Sequence, residues 1–345
     1  MSTAPSTVCL HGTRVVGVLP GWQMNVNVNV NDVNSKFQHV LSKKPRPPPR
    51  CERDQSSHPR TLRRGCLRKL RPTGRMHISW ALLLSAALAM ADEQNATVLI
   101  TGATGRTGSL LFNSLKAHRV HVRAFVRSAE KAAEYLNCSK CDESEGIYVG
   151  DVNDTAALNH AALGVSAVAI CAGVSGNGSD TPEEIVAVEF HGVQNTLAAL
   201  AQPANVAARG ISGLRIVLLS SMGTTEPNNP DLVLFYKLQA EAFLGASGVP
   251  FAIVKPCGLL NTAGGSMKLL VGHDDTLLET RPPLISRADV AAVLEAALSY
   301  ETPALRLDLC SKIGEPPTDL HALLDEARYP WQQTGRRVVQ RSLSS

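Results

Sequence analysis

The chain has 345 residues, of which 44% are hydrophobic and 4% aromatic, and a formal net charge of +4. Residues 1–91 carry 14 Lys plus Arg against 3 Asp plus Glu, whereas residues 92–345 carry 20 against 27, so the basic excess belongs to the leader and the main body is acidic. That distribution gives no ground for a nucleic-acid or anionic-membrane partner, and eight cysteines in a chain this long do not read as a disulfide scaffold.

Residues 1–75 hold the repeat Asn25-Val26-Asn27-Val28-Asn29-Val30-Asn31 and a Pro/Arg/Lys stretch from Lys43 to Arg50. Too little apolar surface is present to offset chain entropy, so a disordered basic leader is expected. A tail that binds RNA is the sharper alternative, but interleaved aromatics are lacking. Residues 76–91 form an apolar, signal-like segment, too short to span a bilayer comfortably, with Ala89 and Ala91 placed for cleavage. Three readings stay open. Translation starts at Met76 or at Met90, the latter leaving a cytoplasmic protein; the leader is a compound sequence addressed to a plastid or another compartment; or the run is a chance apolar patch.

From residue 97 short apolar runs alternate with helical ones, the pattern of a parallel sheet covered on both faces. Strands are expected at 97–101, 120–126, 146–149, 166–171, 214–220, 250–255 and 305–309. Helices are expected at about 106–117, 128–137, 153–163, 182–201, 231–247, 286–299 and 317–328. Thr181-Pro182-Glu183-Glu184 supplies a cap, a first-turn proline and a returning carboxylate, and Ser286-Arg287-Ala288-Asp289 repeats the capping logic. Such βα units build an α/β, doubly wound, Rossmann-like parallel sheet, here one domain over 92–332 with a flexible tail at 333–345. Its ligand crevice lies beyond the carboxyl ends of the strands.

The first βα junction reads Thr101-Gly102-Ala103-Thr104-Gly105-Arg106-Thr107-Gly108. Binding a dinucleotide diphosphate there asks for each glycine separately: Gly102 for the sharp exit from the strand, Gly105 for backbone approach to phosphate, Gly108 for helix-on-sheet packing. Amides at the helix start face the anion, with the helix dipole behind them. After the second strand Arg127 stands where an NAD-preferring protein places a carboxylate, so NADP is favoured over NAD, with Arg106 as a second positive group. Asp151 either accepts from the adenine amino group, with Val152 packed on the ring, or caps a helix. Cys171, Ala172 and Gly173 are small residues that let the backbone approach the cofactor riboses. Ser220 and Ser221 end the fifth strand with hydroxyls where a substrate oxygen would lie.

Cys171, Cys257 and Cys310 close apolar runs and are expected as small core residues. Cys138-Ser139-Lys140-Cys141 has redox or metal spacing, but no second Cys/His pair accompanies it, so an ordinary loop is favoured and no metal is expected. His191 and His273 are expected at the surface or as capping groups.

Together with Lys255-Pro256-Cys257-Gly258, these segments resemble atypical short-chain dehydrogenase/reductases of the NmrA-like kind over about residues 95–330. Leu269 to Thr280 and Ile285 to Ala291 are similar to a plant and algal NADP-binding subgroup, often plastid-associated and largely without an assigned reaction. The resemblance implies cofactor contacts through Pro256 and Lys237. In active members a Tyr-x-x-x-Lys pair does the acid/base work, and here the position four before Lys237 is Val233. Adjacent Tyr236 points about 100 degrees away from Lys237 and is expected to pack or wall the substrate. Lys237 is expected on the nicotinamide ribose, its structural alternative being a surface pair with Glu241. Two accounts follow: an NADP-dependent oxidoreductase using Lys237 with Ser220 or Ser221 on an unknown small molecule, or a non-catalytic NADP-binding redox sensor or assembly protein.

Overall fold

The computed structural model describes residues 96–175, 178–226, 230–330 and 332. The leader, the signal-like segment and the tail at 333–345 lie outside the described residues.

All seven expected strands form: β1 (Thr97–Thr101), β2 (His121–Val126), β3 (Ile147–Val149), β4 (Ala167–Ile170), β5 (Arg215–Leu219), β6 (Phe251–Pro256) and β10 (Ala304–Lys312). Three more were not foreseen: β7 (Gly258–Leu260), β8 (Lys268–Gly272) and β9 (Leu284–Ser286). The main sheet runs β3-β2-β1-β4-β5-β6-β10-β8 and is parallel except for β8, which pairs antiparallel on β10 at the edge. Strands β7 and β9 form a separate parallel pair. Three-residue strands carry no measurable period, and β8 lacks strict alternation, which is why pattern reading passes over them.

The helices are α1 (Gly108–Ala117), α2 (Ala129–Leu136), α3 (Thr155–Ala161), α4 (Pro182–Val186), α5 (Gly192–Leu200), α6 (Pro203–Arg209), α7 (Leu232–Gly245), α8 (Arg287–Ser299) and α9 (Leu320–Glu326). The single helix expected over 182–201 is interrupted by a π-helical turn, Ala187–His191. Its start is as expected: Thr181 accepts from the Glu184 amide while the Glu184 carboxylate accepts from the Thr181 amide at 2.8 Å. Helix α6 was not foreseen; its buried Asn205 donates to the Leu200 carbonyl nearby and to the distant Ala162 carbonyl, and accepts from the Gly164 amide.

Strand alternation divides the core into two layers. Val98 and Ile100 of β1 face one layer with Leu111 and Leu115 of α1 and Val290 and Leu294 of α8. Leu99 faces the other with Leu158 of α3 and Val193 and Leu197 of α5. Covered on both faces, the sheet leaves only its strand ends open to a ligand, and the order reverses between β1 and β4.

Candidate functional site

At that reversal the glycine turn is set by contacts a side chain would destroy. Gly102 has φ +69°, and a Cβ there would lie 2.5 Å from the Ala172 amide nitrogen at the end of β4. A Cβ on Gly108 would run into the Gly102 carbonyl oxygen, and one on Gly105 would come to 3.0 Å from the same atom. The Gly105 amide donates to that carbonyl at 2.9 Å and closes the turn. No backbone acceptor takes the amides of Arg106, Thr107 or Gly108 among the described residues, and Thr107 at the cap position bonds none of them with its hydroxyl. Thr104 is half-buried beside them and Ala103 fully buried. Donors at the mouth of a ten-residue helix, with the space kept clear of Cβ atoms, fit a diphosphate.

Next to the turn opens a cavity of about 410 Å³ at the carboxyl ends of β4, β5 and β6. Cys171, Ala172, Gly173, Ser220, Ser221, Lys237 and Pro256, all expected at the site, line it. Val233 lines it too, one helical turn before Lys237, so a tyrosine at that position would have faced the cavity. Tyr236 lies edge-on against Phe235 at 5.1 Å, outside the lining.

Lys237 does not pair with Glu241. Its Nζ donates to Glu189 Oε2 at 2.7 Å, and Glu189 Oε1 accepts from the Val174 amide at 2.9 Å. Glu189 is 3% exposed and sits in the π-helical turn, a local winding that recurs at functional sites. Glu241 is a buried residue of α7 that accepts from Ser220 Oγ at 2.5 Å and from Arg306 Nε at 2.9 Å. Ser220 has thus committed its proton, whereas the half-buried Ser221 donates only to the neighbouring Met222 carbonyl. Burial pushes the Cys171 thiol up to about 12, against the opposing charge of Lys237, so it stays protonated at neutral pH.

Arg127 and Arg106, expected at the adenosine end, are exposed and have no carboxylate partner among the described residues. Asp151 accepts from the amide and the side chain of Asn153, and the cap of α3 is Asp154, not Asp151. Val152 is buried, packed where a Cβ on Gly192 would stand.

The family model for NAD(P)H-binding proteins matches residues 102–301. The chain belongs to that family, among the atypical short-chain dehydrogenase/reductases. It is similar to an uncharacterised chloroplastic protein of Arabidopsis thaliana, 34% identical over 69% of this chain and 77% of the relative. It is also similar to sanguinarine reductase of Eschscholzia californica, 32% identical over 70% of this chain and 100% of the relative. The solved structure of a Bacillus halodurans protein assigned as an NAD-dependent epimerase/dehydratase shares the fold, with a TM-score of 0.52, 23% identity, and coverage of 67% of this chain and 99% of that one.

In this family setting several groups escaped sequence reasoning. Lys255, fully buried in β6, donates to Asp275 at 2.6 Å and lies 3.3 Å from Asp308 of β10. Burial would push Asp275 up, but hydrogen bonds from Lys255 and Thr225 prevail and hold it below the usual carboxylate range. Asp308 goes the other way, raised chiefly by burial. Cys257 and Cys310 are buried as expected, but as a disulfide: pairing of β6 with β10 brings their Cα atoms to 5.4 Å across 53 residues of sequence. Cys138 and Cys141 are also disulfide-bonded, correcting the expectation of an ordinary loop; Glu145 accepts from the amides of Ser139, Lys140 and Cys141 and folds the segment back on itself. His273 is half-buried and stacks on Tyr329 at 3.8 Å, whereas His191 is exposed and bonds Gln194. Only the CxxC spacing was a signal visible beforehand.

No helix among the described residues is long and apolar enough to cross a membrane.

Proposed function

We propose that the chain is an NADP-dependent oxidoreductase acting on a small carbonyl or hydroxyl compound without the tyrosine that most of its family uses. The observation that carries this reading is Lys237, held by Glu189 in the wall of a cavity that adjoins the glycine turn. A nicotinamide dinucleotide, when bound, supplies or accepts the hydride. The amides of Arg106 to Gly108 bind its diphosphate, and the small residues Cys171, Ala172 and Gly173 with Pro256 and Lys237 receive the ribose and nicotinamide end. Asp151 and Val152 border the adenine. Exposed guanidinium groups of Arg127 and Arg106, free of carboxylates among the described residues, favour the 2′-phosphate.

Of the two hydroxyls, Ser221 is the better placed to polarise a substrate oxygen, since Ser220 already donates to Glu241. The proton that a tyrosine would carry comes from water or from the substrate itself. Similarity to sanguinarine reductase supports a reductase, and the chloroplastic Arabidopsis relative supports a plastid address for residues 1–91. Val233 in the tyrosine position favours a second reading, a redox sensor or assembly protein that binds NADP without turnover.

Titration of the chain with NADPH and NADH, followed by a screen of carbonyl compounds for NADPH consumption, separates the two. Turnover that Lys237→Ala abolishes supports the enzyme. Tight NADPH binding with no consumption supports the sensor, and absence of binding overturns both.

A further inference from the structure

Arg287 is a cation with no carboxylate partner among the described residues. It is the first residue of the 13-residue helix α8, is 8% exposed, and lines the cavity with Ser221 and Lys237. A positive charge opposes the helix dipole at that end, burial strips it of much of its water, and the Arg106 guanidinium is close enough to repel it. Burial first and Arg106 second draw its pKa below the ordinary arginine value.

Among the described residues no carboxylate pairs with it to offset these costs. One nitrogen, Nη1, donates to the Leu259 carbonyl at 3.1 Å and to Asn261 Oδ1 at 2.7 Å. The other two have no protein partner among the described residues, and neither is sealed from solvent. Asp289, two residues on, is spent on Ser286 and the Gly265 amide. Glu189, the acid in the cavity wall, is taken by Lys237 and the Val174 amide. The β7–β9 pair fixes this arrangement, since Leu259 lies in β7 and Arg287 directly follows β9. A guanidinium anchored by one nitrogen and open at the other two is a fork built for oxyanions.

We propose that Arg287 is an anion-recognition site that takes a pair of phosphate or carboxylate oxygens from the ligand of this cavity. The site rests on the reading of the cavity as a dinucleotide and substrate pocket, and it names a property of the occupant: an anionic group on the cavity side of the glycine turn. Two sources offer that chemistry, the diphosphate of the dinucleotide and a carboxylate on the second substrate.

The test uses the full chain and its Arg287→Gln and Arg287→Lys variants. Three probes are titrated: NADPH, inorganic pyrophosphate, and pyruvate added to protein saturated with NADP+. Without ligand, Arg287→Gln is expected to melt no lower than the parent, because an uncompensated buried charge has been removed. Its affinity for NADPH and pyrophosphate falls by about tenfold to a hundredfold if the diphosphate is the source, the range of a charge-assisted bond. If the carboxylate is the source, NADPH binding is unchanged and pyruvate binding is lost. Arg287→Lys keeps the charge without the fork and falls between. Parent-like binding of all three probes by Arg287→Gln overturns the proposal, as does a large drop in its unliganded melting temperature shared by Arg287→Lys, which marks a structural role. A parent protein that ignores NADPH but binds pyrophosphate through Arg287 overturns the dinucleotide reading and supports the anion site.

Discussion

The two sides of the crevice are built by opposite means. At the β1–α1 turn the working groups are backbone amides, and the side chains that matter are absent ones: Gly102, Gly105 and Gly108 keep Cβ atoms out of a space a few residues long. Around the ends of β5, β6 and β10 lie largely buried charges from distant parts of the chain, Lys255 with Asp275 and Asp308, Glu241 with Ser220 and Arg306, Glu189 with Lys237, of which only Glu189, Ser220 and Lys237 line the cavity among the described residues. A backbone site tolerates no added atom and is indifferent to most side chains nearby. A side-chain site tolerates changes of shape but not the loss of one charge from a set. On the proposed reading the first side meets the diphosphate through the backbone, and the second meets the rest of the ligand through side chains.

The most damaging change should be Gly102→Val. A branched residue at φ +69° costs about 1–3 kcal/mol in strain alone, and the backbone of β4 must then retreat from a Cβ that would sit 2.5 Å from the Ala172 nitrogen. A lower melting temperature together with loss of NADPH binding is expected; retained binding would break the backbone account of this side. Second is Lys255→Met, which strands two buried carboxylates and should cost about 3–5 kcal/mol in denaturant unfolding. A near-neutral result would mean that the acids simply take up protons.

Third, Arg127→Ala should weaken NADPH by about tenfold or more, as for a lost charge-assisted bond, and leave NADH nearly unchanged in a fluorescence titration. Equal losses for both nucleotides would remove its phosphate-reading role. The smallest effect concerns pH. Because Asp275 is depressed in the folded chain, its contribution is complete above the unfolded carboxylate value of about 4 and disappears as pH falls through the folded one. Asp308, raised by burial, contributes in the opposite sense, with its stabilising proton lost as pH rises through its folded value. The two partly cancel, so Asp275→Asn should flatten the acid limb of urea midpoints between pH 7 and pH 3 only modestly. A steeper limb in the variant would reverse the assignment of the two acids.

How far the site was legible follows the same division. Thr181 to Glu184 and Ser286 to Asp289 announce helix starts because a cap and its partners lie within one turn, and both form. Lys237 and Val233 could be placed on one face because a helix repeats every four residues or so, and the cavity wall holds both. Glu189 was hidden inside an apparently regular helix, since nothing in Ala187–His191 as a string distinguishes a π-helical turn from an α-helical one. The Lys237 to Glu241 pair looked natural at four-residue spacing, yet Glu241 found better partners in Ser220 and Arg306. Cys257 and Cys310 each read as an ordinary buried residue, and only sheet order brings them together.

Local rules determined the parallel α/β architecture and the glycine turn, because periodicity, capping and glycine geometry act within a dozen residues, while the family was legible as a resemblance spread over several motifs. Which charges face one another, which cysteines join, and that Arg287 stands in the cavity without a carboxylate partner among the described residues were decided by the tertiary structure. Those facts depend on which strands neighbour each other, and burial makes a charge costly only once the fold has chosen its surroundings.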